Sequence, residues 1–270
     1  MNNSIISRIG LLGLGAIGKR VYEALSTRYL PNARFAAIDP HGHASDFVRT
    51  HQIQLCSDTE DLARWKPDLV IECAGHDAVA TSVPVLLKNG ISVVIASIGA
   101  LAEQPLRQHL EAAAETGAAK LILVSGAIGG LDALRSARTA GLDSVVYVGR
   151  KPPRAWLGSP AEERFDLEAI KEATTIFRGT AAEASVKFPK NANVTAAVAL
   201  SGLGFDATQV ELIADPAVDR NVHEVEAAGP FGSINVRLAN NPLPDNPRTS
   251  WLAALSIEEA VSKQLLNVIF

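Results

Sequence analysis

An apolar run that breaks into three spaced glycines, ISRIGLLGLGAIG over residues 6–18, constrains this chain more than any other segment. The residues up to Leu12 read as a buried strand. Gly13-Leu14-Gly15-Ala16-Ile17-Gly18 then reads as a sharp turn into a helix. Gly13 permits the turn, Gly15 lets the backbone approach a pyrophosphate, and Gly18 lets the helix sit close on its strand. The helix start offers unpaired N–H groups and a partial positive charge to phosphates. Ile17, Val21, Ala24 and Leu25 follow at helical spacing, and Phe35–Ile38 reads as a second strand closed by Asp39, 21 positions after Gly18. A carboxylate there suits the ribose hydroxyls of a bound dinucleotide.

The rest of the first half keeps this alternation. Residues 68–75 (DLVIECAG) read as a strand ending in the loop Cys73-Ala74-Gly75. Strands are also predicted over 92–97 and 120–125, and helices over 78–88 and 105–116. Short apolar strands separated by helices imply a parallel sheet covered on both faces. Gly13, Gly15, Ala16, Ile17, Gly18, Asp39, Cys73, Ala74 and Gly75 are its candidate cofactor contacts. No arginine directly follows Asp39 to receive a 2′-phosphate, which favours NAD, while Arg34 and Arg49 leave NADP open.

After about Ser125 the pattern changes. Strands over 208–215, 221–228 and 233–240 follow one another with short turns at Asp215-Pro216 and Gly229-Pro230-Phe231-Gly232, which suggests an antiparallel or mixed sheet. Helices are predicted over 130–140, 162–173 and 194–202. A last helix over 250–267 is expected to return to the first domain. That gives a dinucleotide-binding domain of residues 1–125 plus 241–270 and a second domain of 126–240.

Composition narrows the class. A net charge of −4 offers no basic field for nucleic acid. No stretch approaches the roughly 18 apolar residues of a membrane span. Two cysteines are too few for a disulfide framework or a structural zinc site. A cytoplasmic protein without metal or membrane partner is expected.

A bound nicotinamide needs a substrate and a group that manages a proton. Of six histidines only His223 lies in the second domain, sharing a strand face with Val225 and Ala227 while Glu224 and Glu226 point away. A catalytic histidine and a satisfied core histidine both fit that pattern. His41 and His43 lack a third metal ligand nearby and read as loop residues. Cys73 reads as a strand residue rather than a nucleophile. Residues 187–195 (KFPKNANVT) read as a strand end, a loop and a helix capped by Asn193, with Lys187 and Lys190 placed to attract a carboxylate. Residues 125–130 (SGAIGG) read as a small-residue loop, either a resting place for a flat ring or a plain turn.

Taken together, the glycine fingerprint, IECAGHDAV, SGAIGGLDAL, KFPKNANVTAAVAL, TQVELIADP, the His223 strand, GPFGS and NPRTS resemble the L-aspartate dehydrogenase family over nearly the whole chain. The resemblance implies a Rossmann domain and a C-terminal α/β domain that forms much of a homodimer interface. It implies NAD(P)-dependent interconversion of L-aspartate and iminoaspartate, or oxaloacetate plus ammonia after hydrolysis. It places the active-site histidine at His223 and cofactor contacts at Ala127 and Asn193. Lys187, Lys190, Asn191, Asn193 and Thr195 are candidate substrate contacts. A reductase of dihydrodipicolinate or homoserine type would share the nucleotide half and differ around 187–195 and His223, whereas a non-catalytic NAD sensor would bind cofactor without turning over an amino acid and leave His223→Ala silent.

Overall fold

The computed structural model describes residues 6–40, 42, 44–244 and 246–268, with the side chains of Lys190, Asn246, Pro247 and Arg248 excepted. His41 and His43 therefore lie outside the described residues. The chain divides into two compact units, residues 1–124 with 254–270 and residues 125–253. Residues 241–253, expected with the first domain, group with the second. They carry the short antiparallel pair Pro242–Leu243 and Asn246–Ser250, and Trp251 N donates to Asn241 O within the same unit.

In the first unit six parallel strands form one sheet. They are β1 (Arg8–Leu12), β2 (Arg34–Ile38), β3 (Gln54–Leu55), β4 (Leu69–Glu72), β5 (Val93–Ile95) and β6 (Leu121–Leu123), in the order β3-β2-β1-β4-β5-β6. This is the doubly wound order, whose reversal beside β1 opens a crevice at the strands' carboxyl ends. Its core strands are apolar on both faces because helices cover both: Ile9, Leu11, Val70, Ile71, Val93 and Val94 are fully buried. The single helix expected over 78–88 is two, His76–Thr81 and Val83–Lys88. Pro84 lacks an N–H and fits only a first helical turn, so the helix restarts there.

The second unit holds a five-stranded mixed sheet. It comprises β7 (Ser144–Lys151), β8 (Thr174–Thr180), β9 (Gln209–Ala214), β10 (Asn221–Gly229) and β11 (Gly232–Asn240), in the order β11-β10-β7-β9-β8. β7 runs parallel to β9; the other pairs are antiparallel. The central strand β7 and the edge strand β8 were not anticipated from the sequence, although the Val145-Val146-Tyr147-Val148 run carries the β-branched and aromatic signal of a strand.

Helices Leu131–Arg138, Ala181–Lys187 and Ala192–Ser201 belong to this unit. The helix expected over 162–173 does not form. A 3-10 turn covers Pro160–Glu163, and the Asp166 side chain accepts from Glu168 N and Ala169 N, holding a turn that competes with helix. Lys187, expected at a strand end, instead closes a helix whose start is a capping box between Thr180 and Glu183.

Candidate active site

The glycine loop of the first unit has the shape of a phosphate cradle. Gly13 takes a positive φ of 89°, and a Cβ there would press on Ala74 Cα at 2.9 Å. A Cβ on Gly18 would fall onto the Gly13 carbonyl oxygen. Gly15 differs: a Cβ there meets nothing within 4 Å, so its glycine leaves room for something other than protein. Gly15 is extended and caps the helix Ala16–Ala24 with no side-chain hydrogen bond and no acidic residue in the first turn. The first-turn N–H groups of Ala16, Ile17 and Gly18 have no carbonyl partner within the helix, as at any helix start. A dinucleotide's pyrophosphate fits this arrangement.

Two carboxylates organise the neighbouring loops. Asp39 ends β2 half-buried, and its Oδ2 accepts from Ala44 N at 2.8 Å. Arg49 pairs with Asp46 at 2.8 Å. Glu72, which sequence reasoning passed over, is fully buried at the end of β4. Its Oε1 accepts from Ala74 N, Gly75 N and Ser97 Oγ at 2.7–2.9 Å, and Oε2 from Ser97 N at 3.0 Å. The Cys73-Ala74-Gly75 loop is thus tied to β5's exit through one side chain. Burial and the adjacent Glu72 push the Cys73 thiol up, so it is no thiolate nucleophile.

In the second unit the β7–β10 register assembles a polar cluster on one sheet face. His223 lies opposite Gly149, and Tyr147 opposite Val225. Tyr147, Gly149 and Lys151 share that face because strand side chains alternate. Tyr147 Oη reaches over Gly149 to His223 Nδ1 at 2.8 Å. A Cβ on Gly149 would sit 2.9 Å from that hydroxyl, so the missing side chain is what lets the pair form. His223 is 3% exposed and its Nε2 has no partner among the described residues. Burial, then the nearby Lys151 charge, lowers its pKa to about 3, which leaves a neutral imidazole at neutral pH.

Three further parts close around this face. Lys151 Nζ donates to Asn191 Oδ1, while Asn191 Nδ2 is buried without a partner among the described residues. Asn240 Nδ2 donates to Ala127 O at 2.7 Å, and Gly130 lies against Val236 of β11. The small-residue loop is therefore fixed over the sheet face that bears His223, rather than left as a free turn.

The family models fall on these same two halves. A model described as "Aspartate dehydrogenase, C-terminal" matches residues 132–264, and "Homoserine dehydrogenase, NAD binding domain" matches residues 13–124. An L-aspartate dehydrogenase of Ralstonia nicotianae is 45% identical over 261 residues, spanning 95% of this chain and 97% of the relative. The chain belongs to the L-aspartate dehydrogenase family. A Pseudomonas aeruginosa L-aspartate dehydrogenase is also 45% identical, over 94% of this chain and 96% of the relative. The crystal structure of a Thermotoga maritima aspartate dehydrogenase matches with a TM-score of 0.78 at 26% identity, covering 98% and 99% of the two chains. A dihydrodipicolinate reductase from Paenisporosarcina shares the fold, with a TM-score of 0.51 at 13% identity over 96% of both chains. As a member of the L-aspartate dehydrogenase family the chain is an oxidoreductase with a nicotinamide-cofactor domain.

Within this L-aspartate dehydrogenase scaffold the other candidates separate. Asn191, not Asn193, occupies the N-cap of the helix Ala192–Ser201, because a 3-10 turn, Pro189–Asn191, feeds straight into it. Asn193 is exposed at the second position of that helix. Thr195 is fully buried and its hydroxyl donates to Asn191 O at 3.1 Å. Lys187 is exposed, 3.8 Å from Glu183 and over the Phe177 ring. Lys190 lies in the 3-10 turn. The structure thus brings Asn191 to His223's face through Lys151. Tyr147, Gly149 and Lys151 were missed; their signal was the period-two spacing of one polar-tipped face in VVYVGRK.

Proposed function

We propose that this chain interconverts L-aspartate and iminoaspartate, which yields oxaloacetate and ammonia on hydrolysis, with His223 as acid/base. The observation that carries this is a buried histidine whose Nδ1 is engaged by Tyr147 and whose Nε2 has no partner among the described residues. The relatives' shared name supplies the substrate.

Bound NAD would supply the hydride acceptor, or donor in reverse. Gly13, Gly15, Ala16, Ile17 and Gly18 would hold its phosphates, Asp39 its adenosine ribose, and the loop Cys73-Ala74-Gly75, with Ala127 and Asn193, its remaining part. With Nδ1–H donating to Tyr147 Oη, the His223 lone pair lies on Nε2. There it takes a proton from the substrate's ammonium, which must be neutral before C2 gives up hydride, or from water attacking the imine. In the amination direction the protonated imidazole acts as the acid, giving a proton from Nε2. A bound dicarboxylate brings negative charge beside the imidazole and raises its pKa toward the working range.

NADH oxidation with oxaloacetate and ammonia tests the reading, alongside His223→Ala and omission of each substrate. Turnover that needs both substrates and collapses in the variant, with NADH binding kept, is the expected result. An NADH-binding wild type that turns over neither would return the sensor and other-reductase readings. NADPH in the same assay tests the Asp39 reading, which expects a clear preference for NADH.

A further inference from the structure

The second unit contains a small recess that the acid/base reading does not use and that meets the His223 sheet face through Lys151. Lys151, Trp156, Phe188, Pro189 and Asn191 line it, and it holds about 60 Å³, room for more than one water. Its walls are fixed. Trp156 and Phe188 are 3% and 5% exposed and meet edge-to-face at 6.1 Å. Trp156 Nε1 donates to Ile213 O at 3.2 Å. Asn191 is pinned by its own N–H to Phe188 O and by the Thr195 hydroxyl on its carbonyl.

Two donors, the Lys151 ammonium and the Asn191 amide, reach this recess. Lys151 Nζ lies 5.0 Å from the Trp156 ring centroid and donates to Asn191 Oδ1, and the Asn191 Nδ2 donor is buried with no acceptor among the described residues. A buried amide donor without an acceptor is unfavourable, so a site that keeps one is set for a ligand that supplies it. Asp215 and Glu224 both pair with Arg150, on the opposite face of β7. A cation and an amide donor against an apolar wall match a carboxylate.

The register sets the spacing. Lys151 is two residues along β7 from Gly149, the residue opposite His223. Diagonal neighbours on a sheet face lie about 7–8 Å apart, within reach of a long side chain. Lysine's four-carbon stem can carry its ammonium along that face toward His223, and a four-carbon dicarboxylate holds its second carboxylate one methylene from the reacting carbon.

We propose that Lys151 and Asn191 form the subsite for the carboxylate remote from the reacting carbon, and so select an amino dicarboxylic acid over a monocarboxylic one. The proposal rests on His223 as the acid/base group and adds the residues that measure the substrate's far end. Lys187 also lines the recess but lies 3.8 Å from Glu183, and the subsite is assigned to Lys151 and Asn191.

The test compares oxaloacetate with pyruvate, which lacks the remote carboxylate, in reductive amination by wild type, Lys151→Met and Asn191→Asp. The second variant is isosteric and sets a carboxylate against Lys151, so it keeps the fold while cancelling the site. Both variants are expected to lower kcat/KM for oxaloacetate about 100-fold or more and to change that for pyruvate only a few-fold. An unchanged oxaloacetate-to-pyruvate ratio overturns the subsite, as does an equal fall for both substrates. Succinate binding to the NADH-loaded protein, read by tryptophan fluorescence, needs no turnover. Wild type should bind succinate at least tenfold more tightly than propionate, and Asn191→Asp should erase the difference. A wild type that binds the two alike overturns the subsite. If wild type shows no amination yet discriminates succinate from propionate, the subsite stands and the reaction assignment falls.

Discussion

The smallest feature on which the chemistry depends is the absent side chain of Gly149. Tyr147 and His223 come from strands 76 positions apart, and their 2.8 Å hydrogen bond crosses the space a Cβ would occupy. Gly149→Ala leaves both polar groups in place and denies them that path. Tyr147→Phe leaves the path and removes the hydroxyl. Each variant should lower kcat/KM about 10- to 100-fold, the 1–3 kcal/mol of leaving a buried polar atom unpaired, while NADH affinity holds. Steady-state kinetics with cofactor titration check this. Loss in one variant only would separate packing from hydrogen bonding.

His223 also sets a pH dependence of stability. Its folded pKa of about 3 lies below the ordinary 6.5, so between those values the unfolded chain binds more protons. Stability contributed by the neutral, buried ring is complete above pH 6.5 and is lost as pH falls from there toward 3. The slope is at most about 1.4 kcal/mol per pH unit. Urea unfolding at pH 7, 6, 5 and 4 should show this fall in wild type and a flatter line in His223→Gln.

At the scale of elements the two halves differ in how much their sequence declares. The first unit is built from local signals: a strand, a glycine turn and a capless helix lie within 20 residues. Its glycines give a paired expectation. Gly15→Ala fills open space, so melting temperature should hold while NADH affinity falls about tenfold or more. Gly18→Ala collides with the Gly13 carbonyl, so stability should fall by about 1–3 kcal/mol. Thermal melts beside NADH titrations distinguish the two.

The second unit is legible in parts. β9, β10 and β11 show in their alternation and turns, and His223 stands out by its strand face. The central strand β7 was overlooked, and with it Tyr147 and Lys151, because what matters there is pairing register, which no local spacing reveals. The loop of residues 187–195 misled for a related reason. Its start belongs to a helix secured by Thr180 and Glu183, seven and four residues upstream of Lys187, so the polar cap expected at Asn193 falls at Asn191. Glu72 was hidden by position: a carboxylate ending an apolar strand reads as its solvent end until the amides folded round it are seen.

At the scale of the whole molecule, the second unit's sheet raises a question of cover. Its His223 face is roofed: Gly130 meets Val236, and Gly202 meets Val145. On the opposite face Val146 and Val148 of the central strand stay half-exposed among Arg150, Glu211, Glu224 and Arg237. There Glu224 lies 3.6 Å from Arg150 and 3.3 Å from Arg237. Half-exposed apolar residues at the middle of a five-stranded sheet, ringed by ion pairs, have the apolar-centre, polar-rim layout of an interface. We expect a homodimer that covers this face. Light scattering at tens of micromolar should give twice the chain mass of 28.5 kDa. Val148→Lys probes the face without undoing the fold, because in the pairing register Val148 sits between Glu224 and Glu211 of its own chain. A lysine there gains two carboxylates within the chain but buries a charge wherever a second copy would press on it. The variant should melt within a few degrees of wild type yet scatter as a single chain. A wild type of 28.5 kDa, or a variant that still dimerises, would remove this face as the interface.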